Sequence, residues 1–258
     1  MIIIGEKLNS SIPKTMKAYE LCAEGNDEQI VQLIVNMAQS GSDYIDVNTA
    51  LCNDETAMMQ KTVQLVKSNC SCGIVIDSPD INVLVKCAEY ASGRDIILNS
   101  VKYEELPTAL PILKKYGAGF VCMLDHSTLE ERMTVAEKTV AFADENGISR
   151  EKIFFDIATQ SIATDSESAI LSLNTIKALK EKWSTVMTVC GLSNASFGLP
   201  KRVHVNGAYL TCAVWQGLDS AIMDSTSDAM QMALKAANVV AGKDEYCMDY
   251  ISYIRENQ

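Results

Sequence analysis

The sequence predicts an α/β chain folded as a (β/α)8 TIM barrel, one domain over residues 1–258. Three observations predict it. Short runs rich in Ile, Val and Phe alternate with longer segments of helical period, which is the βαβ pattern. Eight such pairs in about 250 residues is the arithmetic of a closed barrel. The first strand runs into Gly5-Glu6-Lys7-Leu8-Asn9, without the Gly-x-Gly turn that an open dinucleotide-binding sheet carries there.

Taken in order, strand Ile2–Ile4 leads to helix Asp27–Gln39, and Tyr44–Val47 to Glu55–Ser68. Gly73–Ile76 leads to Ile81–Tyr90, and Asp95–Leu98 to Tyr103–Tyr116. Gly119–Met123 precedes Glu130–Glu145, and Lys152–Phe155 precedes Glu167–Trp183. Val186–Val189 with Arg202–Gln216, then Ser220–Met223 with Ser227–Val240, complete the eight pairs. In Glu130–Glu145, Met133, Ala136, Val140 and Ala143 repeat at helical spacing, and Glu131, Glu137 and Lys138 face water. In the helix near 167, Asp165 or Ser166 is the expected cap, and Ile170, Leu173, Ile176 and Leu179 the expected buried stripe. No linker, repeat or low-complexity stretch divides the chain.

Acidic side chains number 33 against 22 basic ones, a formal net charge of −11. That balance argues against a nucleic-acid partner or a basic membrane-surface protein, both of which need clustered Lys and Arg. No run of about 18 uncharged apolar residues occurs, so no membrane span is expected. The nine cysteines are scattered and odd in number, unlike a disulfide framework. Cys122 and Cys190 sit in apolar runs, where Cys acts as a small buried hydrophobe. A reducing, cytoplasmic setting is expected. Cys70-Ser71-Cys72 lacks the second pair or nearby His of a zinc site. With His126 and His204 the only histidines, no bound metal is expected.

In such a barrel, polar residues at the C-terminal ends of strands point into the active-site mouth. Those positions hold Asn9, Asp46, Asn48, Asp77, Asn99, Asp156, Ser193 and Asn194. Asp and Asn also favour turns and caps, so any one position is weak evidence. A ring of them across six strands offers paired acceptors and donors, suited to a flat heterocycle with ring nitrogens and an exocyclic amine. No glycine-rich nest or basic fork for a phosphate is visible at a strand end. A Schiff-base enzyme needs a lysine inside the barrel, and Lys7, the only candidate near a strand end, lies before Asn9 rather than on the later strands. Asp77 and Asp156 could instead form a glycosidase pair, but aromatics make up only 6% and neither Trp183 nor Trp215 falls at a strand end.

The segment Gly191-Leu192-Ser193-Asn194-Ala195-Ser196-Phe197-Gly198-Leu199-Pro200 closely resembles the strand-seven loop of methyltetrahydrofolate–corrinoid protein methyltransferases. Ile2-Ile3-Ile4-Gly5-Glu6-Lys7-Leu8-Asn9, Tyr44-Ile45-Asp46-Val47-Asn48, Ile76-Asp77-Ser78 and Leu98-Asn99-Ser100 resemble other segments of that family, in the same order. The resemblance runs from residue 2 to about residue 240. It implies a pterin-binding barrel related to dihydropteroate synthase, with tetrahydrofolate or methyltetrahydrofolate as substrate and a corrinoid (cobalamin) carried on a partner protein. It also implies a homodimer. Asp77, Asn99 and Asp156 are then expected to hydrogen-bond the pterin, and Asn194 to reach the methyl-bearing nitrogen as the catalytic side chain. Asn9, Asp46, Asn48 and Ser193 would line the same mouth, and Arg202 would fix the substrate or the loop.

Two segments depart from the family pattern. Ile157-Ala158-Thr159-Gln160 replaces an expected proline-containing stretch, and Met223-Asp224-Ser225 an expected proline turn. The rival readings are a non-catalytic pterin-binding subunit of a corrinoid assembly and a dihydropteroate synthase. The latter family carries a basic motif near the end of the barrel and an Asp-Gly-Gly-rich loop after strand two, where this chain reads Ser193-Asn194-Ala195-Ser196 and Asp46-Val47-Asn48-Thr49.

Overall fold

A computed structural model describes residues 1–256. Eight parallel strands close into a barrel in sequence order: β1 (Ile2–Asn9), β2 (Tyr44–Asn48), β3 (Gly73–Asp77), β4 (Ile96–Asn99), β5 (Gly119–Met123), β6 (Ile153–Asp156), β7 (Met187–Gly191) and β8 (Ser220–Met223). The expected (β/α)8 barrel is therefore present, and β8 pairs with β1 to close it. Around it run α1 (Pro13–Ala23), α2 (Glu28–Gln39), α3 (Glu55–Asn69), α4 (Ile81–Cys87) and α5 (Leu106–Tyr116). The circuit continues with α6 (Leu129–Glu145), α7 (Ser168–Lys182), α8 (Arg202–Gln216), α9 (Asp228–Val240) and α10 (Met248–Glu256).

Side chains alternate across each strand, which sorts the barrel into two cores. Ile4, Val75, Ile97, Val121, Phe154 and Val189 fill the lumen. Residues of opposite parity, such as Ile45, Ile74, Ile76, Leu98 and Phe155, pack against the helices. Glycines at two lumen positions make room for neighbours: a Cβ on Gly73 would lie 2.4 Å from the Tyr44 ring.

The structure differs from the sequence expectations where polar groups outweigh apolar period. β1 extends to Asn9 rather than ending at Ile4. Its register against β2 shifts between Gly5 and Leu8, an irregularity of the kind that re-aims side chains near active sites. The shift frees the Lys7 and Leu8 carbonyls, which accept from Thr15 Oγ1 at 2.7 Å and Tyr19 Oη at 2.8 Å. Both donors lie on α1, a helix absent from the sequence expectation, with Pro13 opening its first turn. The α10 helix was likewise unexpected; none of its residues is buried. Helix α4 stops at Cys87 and gives way to a 3-10 turn over Ala88–Ala91.

Helix α6 opens on a reciprocal cap, Thr128 Oγ1 accepting from Glu131 N–H and Glu131 accepting from Thr128 N–H. It buries Ala136, Val140 and Ala143 as expected, and Arg132 and Thr139 beside them, while Met133 is half-buried. In α7 the expected cap and stripe both move. Asp165 accepts from Glu167 N–H in a turn before the helix, and no side chain caps its first residue. Ile170 is 52% exposed, whereas Ser172, Thr175, Ile176 and Leu179 are buried. Ser172 and Thr175 turn inward because each finds partners there: Tyr209 Oη stands 2.8 Å from Ser172 Oγ, and the Arg132 guanidinium donates to Thr175.

Candidate active site

Strand pairing carries the expected polar ring into one place. Asn9 is in register with Asn48, Asn48 with Asp77, and Asp77 with Asn99, so four residues form one row across β1 to β4. On the far side Asp156 ends β6, in register with Met123 and Val189. Asp46 lies one layer deeper, opposite Val75, and is 1% exposed.

The row is internally wired. Asn48 Nδ2 donates to Asp77 Oδ2 at 2.8 Å, while Asn48 Oδ1 accepts from Ser10 Oγ at 3.2 Å and from Ala50 N–H at 3.2 Å. Asn9 contributes less than its register suggests, since its Oδ1 accepts from Ser11 N–H at 2.9 Å in a local turn. Asp156 Oδ1 accepts from Ala158 N–H at 2.8 Å. Asp46 Oδ1 has no hydrogen-bond partner, which leaves a buried polar atom at the foot of the site.

Burial dominates the electrostatics. It raises Asp77 to about 6, with the Asn48 hydrogen bond lowering it and the Asp156 charge raising it further. It also raises Asp156 to about 6, against the Ala158 N–H and the nearby Arg132 charge. Asp46 is pushed well up by burial, then by the negative charges of Asp77 and Glu6, with the Asn99 amide acting the other way. Crowded carboxyls cannot all ionise together. Burial and the neighbouring charges favour the proton on Asp46 over Asp77, so the floor offers donors and acceptors side by side.

Glu6 is a site residue that the sequence reading did not single out. The extension of β1 past Ile4 carries its carboxyl to the mouth, where Ser193 Oγ donates to Oε1 at 3.0 Å. Burial raises Glu6, opposed first by that hydrogen bond. The available signal was period two: Glu6 continues Ile2 and Ile4 once β1 is drawn at full length. Lys7 pairs with Asp224 at 2.5 Å, which places it at the rim in an ion pair and not as a free amine.

Asn194 is exposed in a short 3-10 turn after β7. Its amide lies back over Gly191, where a Cβ would stand 3.0 Å from Asn194 Nδ2. The turn is tethered from both sides. Glu6 holds Ser193, while Arg202 donates through Nε to Ser196 Oγ at 3.0 Å and through Nη2 to the Ser193 carbonyl. The Arg202 guanidinium also lies 5.8 Å from the centre of the Phe197 ring. Of the two roles expected for Arg202, its contacts are those of loop fixation.

A cleft of about 210 Å³ lies beside this turn, lined in part by Glu6, Ser193, Arg202 and Asp224. Among the described residues no helix is long and apolar enough to cross a membrane. All nine cysteines are free, and Cys122 and Cys190 are buried as expected.

Residues 17–224 match the model of the family described as pterin binding enzyme. The chain belongs to the pterin-binding enzymes. Within that family it is 29% identical, over 100% of its length and 97% of the relative's, to a methylcorrinoid:tetrahydrofolate methyltransferase of Eubacterium limosum. It is 28% identical over 88% of its length to the methionine synthase of Mycobacterium leprae, of which it spans only 20%. Its fold matches the dihydropteroate synthase of Coxiella burnetii, solved with pteroic acid, at a TM-score of 0.71 over 93% of each chain, with 15% identity. At that identity the likeness is one of fold. The expected membership of a pterin-binding family is thus met, and the barrel is shared with dihydropteroate synthase.

Proposed function

We propose that this pterin-binding enzyme is a methyltransferase that moves a methyl group between tetrahydrofolate and the cobalt of a corrinoid held by a partner protein. The observation that carries this reading is the full-length match to a methylcorrinoid:tetrahydrofolate methyltransferase, made by a chain whose exposed Asn194 folds its amide back over Gly191 at the C-terminal end of β7. Asp77, Asn99 and Asp156 bind the pterin edge. Ionised Asp77 and Asp156 accept its N–H groups, and the Asn99 amide can donate or accept. Asp46 and Asn48 set the protonation and direction of Asp77 from behind it.

A tertiary amine is a poor leaving group, so the methyl departs only as its nitrogen gains positive character. Asn194 supplies the side chain that bonds the protonated nitrogen, and that bond strengthens as the charge develops. The reduced corrinoid is the nucleophile and leaves as methyl-cobalt, and in reverse the same site methylates tetrahydrofolate. The protein's part is to hold the pterin, polarise one nitrogen and leave the mouth open for the corrinoid protein to dock. A cytoplasmic homodimer with no resident metal fits this reading.

The test is to titrate the purified protein with methyltetrahydrofolate, then add reduced cobalamin and follow the cobalt absorbance. Conversion of the reduced-cobalt spectrum to that of methyl-cobalt is expected. Binding without conversion, even with a corrinoid protein supplied, would reassign the chain as a non-catalytic pterin-binding subunit. Turnover of a pterin pyrophosphate with aminobenzoate would reassign it as a dihydropteroate synthase.

A further inference from the structure

Arg132, on α6, is the largest fully buried side chain among the described residues, at 2% exposed. It lies in the first turns of α6, where the apolar pattern gives no place for a charge. Burying a guanidinium is costly unless its donors are taken. Here Nη1 donates to the Ile157 carbonyl at 2.6 Å and to Thr175 Oγ1 at 3.3 Å, Nε to the His126 carbonyl at 2.8 Å, and Nη2 lies 3.5 Å from the Ala158 carbonyl. Among the described residues no carboxylate is within ion-pair distance of it; the fork is spent on three backbone carbonyls and one hydroxyl.

That backbone is the turn after β6. Ile157 and Ala158 follow Asp156 directly, and Ala158 N–H donates to the Asp156 carboxylate. Ala158 has φ +45°, a left-handed conformation that a non-glycine residue holds only where surroundings fix it. The next residue is fixed as well: Thr159 Oγ1 stands 2.9 Å from Tyr209 Oη, which in turn meets Ser172 Oγ. This turn is the stretch in which the sequence departs from the expected proline. A proline would have fixed φ covalently; here buried hydrogen bonds fix the same segment.

We propose that Arg132 is a positioning residue for Asp156: from behind the turn it fixes the amide that donates to the carboxylate, and it sets a buried positive charge beside that carboxylate. The proposal rests on Asp156 binding the pterin. The titratable groups that face Asp156 are Asp77 on β3, Cys122 on β5, Asp125 after β5, Arg132 on α6, Cys190 on β7 and Tyr209 on α8. Of these Arg132 is the one cation. Its charge favours the ionised form, so removing it raises the pH at which Asp156 stops accepting N–H bonds.

Calorimetric titration with methyltetrahydrofolate between pH 5 and 8 tests this, on wild type, R132M and R132K, each checked for folding by circular dichroism. R132M is expected to bind about tenfold more weakly at pH 7, with the midpoint of its pH profile moved up by about one pH unit, the effect of losing a nearby opposite charge. R132K keeps the charge and loses the fork, so its midpoint stays with wild type while its affinity falls. A purely structural arginine would not split charge from geometry in this way. A folded R132M with wild-type affinity and midpoint overturns the proposal. If R132M does not fold, R132K decides: weaker binding at the wild-type midpoint supports the proposal, and unchanged affinity or a displaced midpoint overturns it. Failure of wild type to bind at all would overturn the pterin reading itself, and the proposal with it.

Discussion

Asn48 donates its amide to one oxygen of Asp77 at 2.8 Å, and that bond helps to orient the carboxylate in the β1–β4 row. Asp77→Asn keeps the shape and removes the charge, and is expected to weaken methyltetrahydrofolate binding by about 1.5–3 kcal/mol, the usual worth of a hydrogen bond to a charged group. Calorimetry would measure it. Asn48→Ala should weaken binding less, because it disturbs the direction of Asp77 and leaves its charge in place.

The same carboxylates have a cost to stability with a definite sign. Burial pushes Asp77 and Asp156 up to about 6 in the folded protein, well above the ordinary carboxylate range. Between about pH 4 and 6 the folded state therefore keeps protons that the unfolded state has lost, and stability falls as pH rises through that window. At pH 7 both groups are ionised and buried. Asp77→Asn and Asp156→Asn should each stabilise the protein there by about 1–3 kcal/mol, with the gain shrinking to nothing near pH 4. Thermal melts at the two pH values check this, and ligand affinity in the wild type should fall as pH drops below about 6.

Strand period and turn chemistry made the barrel and most of its ring legible in the sequence. Asp46, Asn48, Asp77, Asn99 and Asp156 all share the lumen parity of apolar neighbours such as Val75, Ile97 and Phe154. What stayed hidden depends on tertiary partners. Glu6 has the right parity but comes into view only when β1 is drawn past Ile4, and Arg132 is buried by carbonyls from the β5 and β6 loops. Ile170 was expected inside on period alone, but Ser172 and Thr175 have partners inside and displace it.

Arg202 and Glu6 grip Ser193 from opposite sides. Arg202 is exposed, so Arg202→Ala is expected to leave the melting temperature nearly unchanged while lowering the rate of methyl transfer to cobalamin several-fold. Lysine should rescue poorly, because one ammonium cannot bond Ser196 Oγ and the Ser193 carbonyl while lying over Phe197. Full recovery in Arg202→Lys would show that charge, not loop fixation, is the contribution.

Asn194 gives the sharpest expectation, because its exposure separates chemistry from folding. Asn194→Ala removes no buried contact, so melting and pterin affinity should stay near wild type. If its amide bonds the nitrogen only as charge develops there, the loss falls on the transition state, at about 3 kcal/mol or about a hundredfold in rate. Gly191 supplies a second probe that leaves Asn194 in the sequence. Its backbone φ of −73° suits any residue, so alanine there is not strained, yet its Cβ would stand 3.0 Å from Asn194 Nδ2. Only that side-chain amide need give way. Gly191→Ala should therefore fold normally, bind methyltetrahydrofolate normally, and transfer its methyl more slowly. Single-turnover conversion of reduced cobalamin to methyl-cobalt separates these steps. A parental rate in both variants would remove Asn194 from the mechanism, whereas a slow Asn194→Ala beside a fast Gly191→Ala would mean that the amide reaches the nitrogen from another rotamer.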